Sequence, residues 1–391
     1  MKSREHEGLF GGARMDGLDV LRALAAMLVV FYHLFELGPP AMKSLLLWPP
    51  NPYGWIGVDL FFVLSGFFIG RLVLEPAQFR PGAFFVRRAL RILPAYYFSI
   101  LAIVLFLQPG LLFSANGWWH LTSHAFLFHN LLPDHHGSIN GVYWTLGVEW
   151  QFYLLMLLTA PLLRRSWGLV VALLSALAIC WAYRTAIYLH GSDNLMLRFQ
   201  HGTQLPGMLD LFVAGIVGAK LSLSHAKWLQ RWAPMLLTIG IIATVATLRY
   251  LQSHLGDYWT HGFSIIGTRS LMAISFALLV LGMLHPPRWL ITPLNALGVT
   301  RLGQYSYSVY LFHLPLLLAM APSIPADWGR NGMIAAIALY LVALVLVSRF
   351  VYRHVEAPWI TRGRQLTRSG TAARERVGTS DIAVANEAAA P

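Results

Sequence analysis

The sequence predicts an all-α, polytopic transmembrane helix bundle of about ten spans with both termini cytoplasmic, and three observations predict it. The first is composition: 57% of the 391 residues are hydrophobic and 12% are charged, with mean hydropathy +0.57, whereas an ordinary soluble domain carries about 25% charged residues. The second is a recurrence of apolar runs long enough to cross a hydrocarbon core, at 18–36, 54–74, 92–108, 141–162, 167–187, 206–223, 233–251, 266–284, 304–321 and 332–352. The third is charge placement. With the N-terminus inside, 23 of the 29 Lys and Arg fall on the cytoplasmic side, leaving Lys43, Arg184, Arg198, Arg249, Arg269 and Arg330 on the other. This is the asymmetry of the positive-inside rule.

The net charge of +12 therefore reflects topology, and the partner it implies is the lipid bilayer, not nucleic acid. Residues 1–17 read as a cytoplasmic N-terminal segment and 18–360 as one membrane domain, because the longest gap, 109–140, is too short to bury a core of its own. The first apolar run is long enough to span and reads as a retained helix, not a cleaved signal. Residues 361–391 lack periodicity and large apolar residues and read as a disordered cytoplasmic tail. The single cysteine, Cys180, excludes an intramolecular disulfide and reads as a small packing residue.

The first span carries Arg22 near its start and His33 near its end. Eleven residues of helix turn through about 1100° and rise about 16 Å, so the two side chains share one face at opposite ends. Ionisable groups in a span look into a bundle or cavity, which makes the pair a candidate site. Span two, entering from outside, sets Asp59 at a depth similar to His33. An Asp59–His33 pair and a simple helix-packing hydrogen bond are both open readings. Span three starts with Arg87, Arg88 and Arg91 at the cytoplasmic boundary. Such a cluster suits a multiply phosphorylated ligand, and the alternative is positive-inside anchoring or anionic lipid.

The outer segment 116–140 has no Lys or Arg but five histidines, His120, His124, His129, His135 and His136. His120 and His124 have i, i+4 spacing that two metal ligands could use, but no HExxH pattern accompanies them and no metal is expected. Trp118 and Trp119 read as interface anchors or as a platform for a sugar-like acceptor. Span four places Glu149 well inside the membrane, where a paired or functional carboxylate is expected. In the sixth span Asp210 reads as structural, beside Gly215 and Gly218, which permit close helix packing. The ninth combines Tyr305, Ser306, Tyr307, Tyr310 and His313 with Pro315, which frees a backbone carbonyl near the midplane. His313 reads as a second catalytic group or as an interhelix hydrogen bond. Glu356 ends the tenth span beside Arg353, with a salt bridge as its default role.

These residues carry a resemblance. The stretches LRALAAMLVVFYH, GVDLFFVLSGFFI, FFVRRALRILPAYY, WTLGVEWQFYLL, GQYSYSVYLFHLP and VEAP occur together, in the order seen in the acyltransferase-3 family of bacterial integral membrane O-acyltransferases, over about residues 16–360. The resemblance implies an inner-membrane enzyme that moves an acyl group, usually acetyl, from cytoplasmic acyl-CoA to a hydroxyl of a carbohydrate or lipid-linked glycan. It implies that His33 is the catalytic residue of the arginine-x10-histidine motif with Arg22 its partner, and that Arg88 and Arg91, with Arg87 beside them, bind the acetyl-CoA or other acyl-CoA donor. Asp59 and Glu149 are expected to orient His33, Trp144, Tyr307 and His313 to contact substrate, and Glu356 to have a structural or uncertain role. Many relatives carry an appended SGNH-type esterase domain. Here only a tail follows span ten, so either direct acylation or a separate acyl-accepting protein is expected. The competing readings are a glycan exporter without acyl transfer, a macrolide-type small-molecule acyltransferase and a membrane scaffold with a lipid-binding arginine patch.

Overall fold

The computed structural model describes residues 15–46, 51–75, 79–165, 167–254, 256–325 and 328–367, and among them there is no strand. In chain order the helices are α1 (Asp16–Leu37), α2 (Pro40–Leu46), α3 (Ile56–Leu74), α4 (Pro81–Phe106), α5 (Ala115–Ala125), α6 (Trp144–Leu163), α7 (Gly168–His190) and α8 (Leu195–Gly202). They continue as α9 (Leu209–Ser224), α10 (Ala226–Ser253), α11 (Gly262–Ile266), α12 (Thr268–Gly282), α13 (Arg288–Ala296), α14 (Val299–Gln304), α15 (Ser306–Met320) and α16 (Arg330–Val351).

Eight helical stretches, those containing α1, α3, α4, α6, α7, α9, α10 and α16, are long and apolar enough to cross a membrane. The eighth and ninth expected spans are α12 and α15, of 15 residues each, about 22 Å of helix. Gly267 separates α12 from α11, and a turn at Tyr305 separates α15 from α14. The last helix also differs from expectation. After a π-helical turn at Tyr352–Glu356 it continues through Thr367, past the expected boundary at 360. The rest of the expected tail, 368–391, and residues 1–14 lie outside the described residues.

Of those eight stretches α3 is the most enclosed, packed among α1, α6, α9 and α12. Its approach to α9 depends on glycine from both sides. A Cβ at Gly66 would overlap the Phe212 carbonyl, and one at Gly215 would overlap the Val63 carbonyl, so the two backbones touch as small residues allow. Gly218, also expected at this seam, has ordinary space around it.

Two polar devices hold the bundle. Pro315 has no N–H to give Leu311, and the freed Leu311 carbonyl accepts instead from the buried Asn140 Nδ2 at 3.0 Å. Elsewhere in the bundle, Arg184 of α7 meets Asp210 of α9 in a bidentate pair at 2.8 and 2.9 Å. Arg184 also donates to the Gly207 and Ile266 carbonyls, and Ser270 of α12 donates to Asp210 at 2.6 Å. Both charged groups are 2% exposed, and every contact a planar guanidinium favours is filled. Cys180 is buried beside this clamp, donating to the Pro206 carbonyl and accepting from the Asp210 N–H.

Candidate active site

Two cavities lie one above the other along α1. The first is lined by Arg22, Arg88, Arg91, Ser65, Glu149, Tyr153 and Tyr307, among apolar neighbours. The second, of about 420 Å³, is lined by His33, Tyr32, Trp55, Asp59, Trp144, Tyr258, Trp259 and Arg269. Val58 and Tyr310 line both. Arg22 and His33, on one helix, therefore line different cavities, and Val58 and Tyr310 stand where the two adjoin.

In the arginine cavity α4 supplies Arg88 and Arg91 one turn apart, while α1 supplies Arg22, whose Nη1 is 3.6 Å from Asp19 Oδ1. The Arg88 guanidinium lies about 6 Å from the rings of Phe84 and Tyr153. Arg87, expected with them, does not line the cavity; its backbone faces Gly363 of the C-terminal helix. Glu149 accepts from Ser65 at 2.5 Å and from Tyr153 at 2.6 Å. It is thus committed to the arginine cavity and does not orient His33. Tyr307 also stands here, donating to the Ile92 carbonyl, so its substrate contact would be with whatever the arginines hold. Glu356 is 1% exposed and accepts from Ser308 at 2.9 Å, within electrostatic reach of Arg91 and Arg22. The π-helical turn rotates it into the protein, which overturns the expected surface salt bridge with Arg353.

In the histidine cavity the partner of His33 is His313, not Asp59. His33 Nδ1 lies 3.0 Å from the Val29 carbonyl and 3.2 Å from His313 Nε2, and His313 Nδ1 lies 2.7 Å from the Tyr310 carbonyl. Carbonyl oxygens only accept, so each Nδ1 carries the proton of its neutral ring. His313 Nε2 then accepts from His33 Nδ1–H, and Nε2 is left as the basic nitrogen of His33, a residue that lines the cavity. Asp59 instead faces Arg269 Nε at 3.7 Å. Sequence reasoning offered His313 as a second catalytic group or an interhelix hydrogen bond without joining it to His33, and it missed Arg269, Trp55, Tyr258 and Trp259 as cavity residues. The available signal was a cation, Arg269, inside a span on the charge-poor side.

The outer histidines form stacks, not a ligand set. His124 lies on His129 with centroids 4.0 Å apart, and His120 on His135 at 3.9 Å, so His120 and His124 turn to different partners. Among the described residues no group of three His, Cys, Asp or Glu is placed to hold a metal. Trp118 and Trp119 are about half exposed and line neither cavity, whereas Trp144 lines the histidine cavity with His136 stacked on it at 5.7 Å.

Burial pulls His124 down to about 3, with His129 next to it adding to the effect, and pulls His129 and His136 down to about 4, from an ordinary 6.5. These folded-state values lie below the unfolded one, so as pH falls below about 6.5 the unfolded chain takes up protons that the folded chain refuses. Stability is then lost at up to about 1.4 kcal/mol per pH unit for each histidine until about pH 4. We expect the melting temperature in detergent to drop between pH 7.5 and 5, with a shallower drop for His124→Asn; a flat profile for the unaltered chain would contradict the burial argument.

Comparison with known proteins gives the site its context. The chain is 29% identical over 381 residues to YrhL of Bacillus subtilis, provisionally named a peptidoglycan O-acetyltransferase, covering 89% of this chain and 55% of that one. It is 24% identical over 367 residues to the peptidoglycan O-acetyltransferase OatA of Listeria monocytogenes, covering 88% and 55%. It is 25% identical over 386 residues to the O-acetyltransferase OatA of Staphylococcus aureus, covering 91% and 59%. The chain thus spans a little over half the length of the curated relatives it matches. No solved structure matches it. The family profile described as Acyltransferase domain matches residues 15–353, which include both cavities and the helix that joins them: the chain belongs to the acyltransferase-3 family.

Proposed function

We propose that the chain is a multi-pass O-acyltransferase of the bacterial inner membrane, moving an acyl group, acetyl in the first instance, from cytoplasmic acyl-CoA to a hydroxyl of a cell-surface glycan. The observation that carries the reading is the pair of chemically different cavities along α1, one lined by three arginines and the other by an oriented histidine, with only Val58 and Tyr310 shared between them. Donor phosphates dock on Arg88, Arg91 and Arg22. The thin thioester arm passes the Tyr310 wall to His33, and the acceptor enters from the other side. The names of the OatA relatives support the acetyl group and point to peptidoglycan as the first acceptor to try.

His33 Nε2 acts as the general base. It takes the proton of the acceptor hydroxyl as that oxygen bonds to the thioester carbonyl carbon. When the tetrahedral intermediate collapses, the C–S bond breaks and the proton passes from His33 to the departing thiolate. His313 holds the His33 ring in the tautomer that this requires and shares the charge that develops on it. A separate acyl-accepting protein enters the scheme only if the acceptor cannot reach this cavity itself.

The test is transfer from radiolabelled acetyl-CoA to soluble peptidoglycan fragments by the purified chain. Arg88→Ala with Arg91→Ala is expected to raise KM for acetyl-CoA on the order of 10²-fold, since charge-assisted hydrogen bonds are worth about 1.5–3 kcal/mol each. An unchanged KM would remove the arginine cavity from donor binding.

A further inference from the structure

We propose that the Asp59–Arg269 pair and the tryptophans beside it read the acceptor as a neutral, polyhydroxylated sugar ring, which makes Asp59 an acceptor-binding residue. The inference rests on the acyl-transfer reading above and names the part of the histidine cavity that selects the substrate.

The argument starts from unfilled hydrogen-bonding capacity. Asp59 is 1% exposed and Arg269 5%, yet their closest approach, Arg269 Nε to Asp59 Oδ1, is 3.7 Å. That distance is an ion pair but too long for a hydrogen bond. Asp59 Oδ2 and Arg269 Nε have no hydrogen-bond partner among the described residues. A buried carboxylate oxygen and a buried guanidinium N–H left this way are costly, and such a cost persists at sites that a ligand fills. Both residues line the cavity that His33 lines.

The surroundings restrict what fills it. The Arg269 guanidinium lies 5.3 Å from the Trp55 ring and 5.8 Å from the Trp259 ring, and its Nη1 donates to the Gly202 carbonyl at 3.4 Å, so the group is held in place while Nε stays unfilled. Tyr258 packs edge-on against both tryptophans, and Trp144 closes the same wall. A hydrocarbon chain would match the rings but leave the acceptor and donor unfilled. An anion would meet the Asp59 carboxylate. A sugar ring satisfies all three features: one hydroxyl donates to Asp59 Oδ2, an oxygen accepts from Arg269 Nε, and the C–H face lies against tryptophan. The hydroxyl to be acylated is then one that neighbours the anchored ones and points to His33 Nε2.

The experiment is steady-state kinetics of the purified full chain with acetyl-CoA and two probes, chitotetraose and soluble peptidoglycan fragments. Trp259→Ala and Arg269→Gln are expected to raise the acceptor KM about tenfold or more while the KM for acetyl-CoA stays within about twofold, and Trp259→Phe is expected to recover most of the loss. Because Asp59→Asn alone leaves Arg269 uncompensated, Asp59→Asn with Arg269→Gln is measured beside it, so that lost folding is not mistaken for lost recognition; it too should raise the acceptor KM. Transfer with unchanged acceptor KM in these variants, or an equal rise in both KM values, would overturn this assignment alone. Absence of transfer to either probe by the unaltered chain would overturn the acyl-transfer reading on which it rests.

Discussion

Replacing His33 by alanine is expected to remove acyl transfer, with kcat falling about 10²- to 10⁴-fold, the usual contribution of a positioned general base. His33 Nδ1 is held by the Val29 carbonyl and His313 Nε2, which leaves Nε2 as its basic nitrogen; His254, also on the cavity lining, is held in the same way by the Tyr250 carbonyl. His313 is buried, anchored at Nδ1 by the Tyr310 carbonyl, and its own backbone carbonyl accepts from Tyr340 at 2.8 Å. It acts through His33, so His313→Ala should cost less, on the order of 10²-fold from lost orientation, and should also change the pH profile of kcat. Melting temperatures taken alongside separate these effects from unfolding. Equal losses in the two variants with an unaltered pH profile would reduce His313 to packing.

The largest stability effect is expected at the buried Arg184–Asp210 clamp. Asp210→Ala leaves the Arg184 guanidinium buried without its carboxylate, and Arg184→Ala does the converse. Removing one partner of a buried pair costs about 3–5 kcal/mol, a large part of the stability of an ordinary domain. The clamp ties α7, α9 and α12 together through Gly207, Ile266 and Ser270, and α12 also carries Arg269. We therefore expect either variant to melt early in detergent and to lose activity in proportion to the folded fraction, with KM unchanged in what remains. Normal melting with a selective loss of transfer would move this pair from scaffold to site.

Much of this was legible in the sequence, for identifiable reasons. Membrane spans announce themselves because a bilayer demands long apolar helices, and the Arg22 and His33 phase follows from helix geometry alone. The α12 and α15 spans are less visible as helices, because Gly267 and the Tyr305 turn shorten them in ways apolar content does not register. Partners were harder still. Asp59, Asp210, Arg184 and Arg269 all stand out as charges inside spans, and neutrality requires that they pair, but pattern alone does not say which with which. Depth placed Asp59 level with His33, yet the approach of α12 gave it Arg269, and the ninth span turned His313 toward His33 instead. Likewise Glu356 read as a surface group because its helix was expected to end; the π-helical turn that carries it inward has no sequence signature comparable to a proline.

The measurement that bears most directly on the account is sided transfer in proteoliposomes, with labelled acetyl-CoA confined to one face of the bilayer and glycan acceptor to the other. The stacked cavities predict that label reaches the acceptor across the membrane when the donor is on the arginine side, and that His33→Ala abolishes it. Transfer only when donor and acceptor share one face, or undiminished transfer by His33→Ala, would contradict a route that runs from the arginines past Tyr310 to His33.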